Sequence, residues 1–173
     1  MKKNSFMRRY QALFLFGGLI CATIVSCKEK DKDVLKPKTV TDIILENNDF
    51  TILREIVKFA GMTDALRTEN LTIFAPNDAA FRSSNITNAS EITSQPKDSA
   101  IAFVKHHIID AKKSYTYNEL PKGKVKVLDG STIDIGTTSV TDTTLMINRA
   151  YIILKNVSAA NGYIHVVDRT LKK

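Results

Sequence analysis

The chain has 173 residues, 43% apolar, 25% charged and 8% aromatic, a composition that excludes a disordered or collagenous chain and makes one globular domain the default. Lys and Arg number 25 against 18 Asp and Glu, a formal +7 that on its own would point to nucleic acid or anionic lipid. Placement decides otherwise: Lys2, Lys3, Arg8 and Arg9 all precede an apolar run, and from Thr39 to Lys173 there are 16 basic and 15 acidic residues. That balance is too even for binding a phosphate backbone, so no nucleic-acid partner is expected.

The run from Ala12 to Val25 is as long as a signal-peptide core and short of the roughly 20 residues of a comfortable membrane span. It ends Ile24-Val25-Ser26-Cys27, which resembles the bacterial lipobox. Residues 1–26 are therefore expected to be a lipoprotein signal peptide. The resemblance implies a diacylglyceryl thioether on Cys27, and with further acylation a firm membrane anchor. The other cysteine, Cys21, lies in the removed segment, so stability must come from the core and not from a cross-link. Residues 27–38 alternate Lys with Glu and Asp and include Pro37, and read as a solvated tether. Acidic residues after the cysteine resemble signals that send some Gram-negative lipoproteins outward. The expected location is the cell envelope, anchored in the outer membrane and facing the periplasm or the cell surface.

The folded part is expected over residues 39–173. Thr39-Val40-Thr41-Asp42 has the form of a capping box, and Val40, Ile43 and Ile44 share a helical face to about Asn47. Asp49 is placed to cap a second helix burying Phe50, Leu53, Val57 and Ala60 and ending at Gly61. Leu71 to Ala75 is a short β-prone run stopped by Pro76, after which Asn77 or Asp78 begins a brief helix through Phe81. Residues 82–97 are rich in Ser, Thr and Asn and read as an exposed loop. From Asp98 another helix places Ala100, Phe103, Val104 and His107 on one face.

The second half changes period. Residues 124–128, 132–135, 145–147, 151–154 and 163–167 are short β-branched runs, with turn signals at Asp129-Gly130 and Asn161-Gly162. Helices followed by an antiparallel meander predict an α+β domain.

Residues 72–81, Thr-Ile-Phe-Ala-Pro-Asn-Asp-Ala-Ala-Phe, and residues 161–171, beginning Asn-Gly-Tyr-Ile-His, resemble the two signature motifs of the fasciclin domain. Between them, residues 104–109 resemble that family's tyrosine-histidine motif, with His107 at the histidine and His106 replacing the tyrosine. The resemblance implies a fasciclin-like β-wedge with N-terminal helices packed beside an antiparallel sheet. It makes Phe74, Pro76, Asn77, Asp78, Phe81, His106, His107, Asn161, Gly162, His165 and Asp168 motif residues of mainly structural role. It further implies an extracellular interaction or adhesion module, with a neighbouring envelope or matrix protein or a glycan as partner. Integrin-binding members carry an acidic residue and an isoleucine before the last motif, where this chain has Asn156-Val157, so integrin binding is not expected.

No catalytic, cofactor or metal site is expected. Adjacent His106 and His107 point about 100° apart on a helix and cannot aim at one ion unaided. The chain has no Gly-rich phosphate loop and no His-Glu-x-x-His pattern. Lys122, Lys124 and Lys126 alternate along one run, a solvated strand edge or a contact for an anionic polymer or glycan. Tyr115 and Tyr117 beside it offer stacking or core packing. The alternative to an interaction module is an envelope hydrolase or ligand-binding accessory protein with a pocket near His107 or His165.

Overall fold

The computed structural model describes residues 36–137 and 144–172. The expected signal peptide, Cys27 and the expected tether up to residue 35 lie outside the described residues. Helix α1 (Val40–Glu46) opens on the expected capping box: the Thr39 hydroxyl accepts from the Asp42 amide at 3.3 Å, and the Asp42 carboxylate accepts from the Thr39 amide at 3.0 Å. Arg67 adds an ion pair at 2.9 Å. The hydrogen bonds from Thr39, then that from Arg67, hold the Asp42 carboxyl down at about 2.

Helix α2 (Thr51–Ala60) buries Leu53, Ile56, Val57 and Ala60 and ends at Gly61 with φ 68°. Its start differs from expectation. Asn47, not Asp49, caps a 3-10 turn over Asn48–Phe50, accepting from the Asp49 amide at 2.9 Å. Burying Phe50 turns Asp49 out to solvent, away from the α2 donors. The carboxylate of Asp78 meets them instead, accepting from the Ile52 amide at 2.9 Å and from the Thr51 hydroxyl.

Strand β1 (Leu71–Pro76) is buried along its whole length. Helix α3 (Asp78–Ser83) follows, capped by Asn77, which accepts from the Ala80 amide at 2.8 Å. The segment read as an exposed loop is partly built in: it carries the short helix α4 (Ser90–Thr93), and Ala89 and Ile92 are buried. Ile86, Ala89 and Ile92 recur every third residue, a helical spacing that the surrounding Ser, Thr and Asn mask. Helix α5 (Lys97–His106) then packs on α2.

Five further strands complete the sheet: β2 (Gly123–Lys126), β3 (Thr132–Thr137), β4 (Leu145–Ile147), β5 (Ala150–Ala159) and β6 (Gly162–Val167). Their order is β1-β6-β5-β4-β3-β2. The meander from β2 to β6 is antiparallel as expected, and β1 adds a parallel pair with β6, making the sheet mixed. The segment after α5 joins the two ends of this order, since Ile108 bridges Ile73 and Ile109 bridges Val127. The sheet therefore curls on itself, and the outer strands are covered at these points.

Curling creates two cores. Ile73, Ala75, Ile164 and Val166 face α1, α2 and α5. Phe74 and Val167 face inward with Val127, Ile133, Ile135, Ile147 and Ile152. A fully buried side chain of this size is worth about 1.5–3 kcal/mol, against about 1 kcal/mol for a helix cap. The two cores therefore carry the stability of a domain with no disulfide.

At the head of β6, Gly162 lies opposite Leu71, and a Cβ there would sit 1.9 Å from the Leu71 carbonyl oxygen. Gly162→Ala must push β1 and β6 apart, and chemical denaturation should show a loss of about 2 kcal/mol or more. A variant as stable as the parent would contradict the register of the parallel pair.

Candidate functional site

The motif residues converge on the junctions between segments. Asn161, at the turn into β6, accepts from the Val40 amide at 2.9 Å and donates to the Leu66 and Thr68 carbonyls at 2.9 and 2.8 Å. One buried amide thus ties the start of α1 and the approach to β1 to the last hairpin. Asp168 accepts from the Tyr151 amide at 2.8 Å and holds the end of β6 to β5. Phe74 and Phe81 are fully buried, and Pro76 ends β1 just before the Asn77 cap.

The three histidines are buried and differ in what they touch. His107 donates from Nδ1 to the Phe103 carbonyl at 2.8 Å and accepts at Nε2 from the Leu171 amide at 3.0 Å, so it is the neutral Nδ1–H tautomer joining α5 to the C-terminal segment. Burial drives its pKa down to about 4. His165 donates from Nε2 to the Tyr115 carbonyl at 3.1 Å and accepts at Nδ1 from the Asn156 amide at 3.3 Å; burial lowers its pKa as well. With both ring nitrogens of each committed to backbone, neither stands at an open cleft as an acid or base. His106 holds a buried polar cluster with Nδ1 3.1 Å from Asp129 and 3.0 Å from Ser131, and its buried Nε2 makes no hydrogen bond.

Asn156 has φ 57° where β5 bulges between Leu154 and Val157, and its side chain accepts from the Tyr117 amide at 2.7 Å. Tyr117 is core, its hydroxyl accepting from the Leu145 amide at 2.9 Å. Two of the three lysines of the β2 region have different surroundings. Lys126 pairs with Asp110 at 3.5 Å, whereas Lys124 lines an open cleft of about 850 Å³. Sequence reasoning missed this cleft, because its other cations, Arg149 in the β4–β5 turn and Arg169 and Lys172 in the C-terminal segment, lie far from Lys124 in sequence. Among the described residues no group of three or more His, Cys, Asp or Glu is placed to hold a metal ion.

The profile of the Fasciclin domain family matches residues 48–173, from the first turn after α1 to the end of the chain. The chain belongs to the fasciclin family. Protein sll1483 of Synechocystis sp. is 30% identical over 135 residues, a stretch covering 77% of this chain and 72% of that protein. The transforming growth factor-beta-induced protein ig-h3 of Sus scrofa is 24% identical over 141 residues, covering 78% of this chain and 19% of that longer protein. The fold is that of a solved FAS1 domain pair from the insect cell adhesion molecule fasciclin I, with a TM-score of 0.63 at 18% identity, covering 79% of this chain and 51% of that one. In this fasciclin domain the motif side chains form a set of internal ties.

The buried neutral His107 has a consequence for pH. Its folded pKa lies below its unfolded value of about 6.5, so its contribution is complete above that value and is lost as pH falls toward 4. Urea denaturation between pH 7 and 4 should show a loss on the order of 3 kcal/mol attributable to this group. His107→Leu, less stable at pH 7 because the Leu171 amide loses its acceptor, should show a flatter profile over that window. A wild-type His107 that titrates at or above 6.5 by NMR would overturn the assignment.

Proposed function

We propose that this protein is a membrane-anchored, extracytoplasmic interaction module of the cell envelope, held by lipid on Cys27 and presenting its fasciclin domain to a neighbouring protein or glycan. The observation that carries the reading is the arrangement along the chain. A lipobox-like sequence and a charged tether precede a domain that the family profile covers to its end. Membership in the family of an insect cell adhesion molecule supports an adhesive role. So does the outer surface of β5, where Ile153 and Leu154 are each 54% exposed beside Tyr151, the kind of apolar surface that marks contact sites. The reading places residues 1–26 as signal peptide, 27–38 as tether and 39–173 as the domain, in the outer membrane on its periplasmic or outward face.

Two measurements test it. Cells fed a fatty-acid probe should label the wild-type chain and not Cys27→Ala, and an unlabelled wild type would refute the anchor. Affinity capture from intact envelopes should recover a partner that a tether-only control does not. Equal recovery by both would defeat the interaction role.

A further inference from the structure

The cleft lined by Lys124 is an open concavity for which the internal ties give no account. One wall is the outward face of the β2–β3 pair, where Lys124 lies opposite Asp134. A second is the end of α3, at Ser83 and Asn85. The third is formed by the β4–β5 turn and the C-terminal segment, bearing Arg149, Arg169 and Lys172. Among the described residues four cations and one acid thus line the cleft. Arg169 pairs with Asp168 at 3.2 Å, while Lys124, Arg149 and Lys172 have no ion-pair partner among the described residues.

The cations sit on a rigid base. Asn148 donates its backbone amide to the Asp134 carbonyl at 2.9 Å, accepts from the Asp134 amide at 2.7 Å, and donates from its side chain to the Lys172 carbonyl at 3.0 Å. The Ser84 hydroxyl accepts from the Thr170 amide at 2.9 Å and fixes the tail to α3. Arg149 itself stands at φ 76°, beside Asn148 at φ 47°, in a two-residue turn whose second position favours glycine. An arginine in that conformation is strained, and the strain places a guanidinium at the cleft that a glycine would not supply.

We propose that this cleft is a binding site for an acidic polysaccharide, its uronate or sulfate groups held by Lys124, Arg149 and Lys172. Hydroxyls and an amide from Ser83, Asn85 and Thr132 suit sugar hydroxyls, and about 850 Å³ is room for several sugar units and far more than one small anion requires. Among the described residues the only apolar side chains on the walls are those of Ile133 and Met146, and Ile133 is buried. That argues against a peptide, which would need anchoring pockets. The inference deepens the interaction role and rests on it.

The full-length protein in a non-ionic detergent is titrated by calorimetry with alginate, sulfated dextran, neutral dextran and polyglutamate. The acidic polysaccharides should bind, more weakly as salt rises, and neutral dextran should not. Arg149→Gly should weaken binding at least fivefold while its Tm stays equal to or above wild type, since glycine relieves the turn; a purely structural arginine would give the opposite pair of results. Lys124→Glu with Lys172→Glu should weaken binding further, and Lys58→Glu with Lys112→Glu, equal in charge but remote from the cleft, should change it less than twofold. Absence of polysaccharide binding, equal binding of neutral dextran, tighter binding of polyglutamate, or indifference to the cleft variants would each overturn the site. If the cleft variants still capture an envelope partner, the failure belongs to the site alone; if no partner is captured by any form, the interaction role falls with it.

Discussion

The parallel contact between β1 and β6 is the constraint on which the rest of this domain depends. The two strands come from residues 71–76 and 162–167 and cannot be joined by a hairpin, so the chain between them must wind through α3, α4, α5 and the meander before the pair can form. Both strands are buried on both faces. Ile73, Ala75, Ile164 and Val166 serve the helical core, and Phe74 and Val167 the core inside the curl. Neither core is complete without the pair, and the pair closes only because Gly162 lets the Leu71 backbone approach where no side chain would fit. A domain built on so distant a contact is expected to fold as a unit and slowly relative to a helical bundle.

Such a topology leaves many irregular joints near the interior, and backbone groups there must be satisfied by something other than a ladder. The polar motif residues do this. Asn161 serves three backbone groups, His107 and His165 two each, and Asp78 caps a helix that begins 27 residues before it in sequence. An unsatisfied buried group costs about 1–3 kcal/mol, so a few such ties together compare with the net stability of a typical domain. That is a physical reason for polar residues to recur inside a fold signature without any reaction to perform.

What could be read from the sequence follows the range of each interaction. The Thr39–Asp42 box, the Asn77 cap, the Gly61 stop and the strand runs are local, and residue spacing alone reveals them. The Asp78 cap of α2 is not local: Asp49 was the nearest acid in sequence, and only packing of Phe50 shows that it faces away. Helix α4 was hidden because a polar composition outweighed the three apolar residues at helical spacing. The parallel pairing of β1 was invisible to reasoning from adjacent strands, since its partner is the last strand of the chain. The cleft was least legible of all. Its cations come from β2, the β4–β5 turn and the C-terminal segment, and no linear window contains them together.

The near neutrality of the domain hides that cleft because acids and bases are used differently. Asp42 serves a capping box and Arg67, Asp78 caps α2, Asp129 is drawn against His106, and Asp168 holds the Tyr151 amide. Carboxylates suit these tasks because they accept hydrogen bonds, and exposed backbone amides at helix starts and strand ends need acceptors. Lysine and arginine cannot cap such donors. They stay on long, solvated stems, so once the acids are drawn into the frame the surface keeps an uneven share of positive charge. A balanced count of ionisable residues is therefore compatible with a local surplus of one sign, as among the described residues of the cleft where Asn148 joins strand, turn and tail.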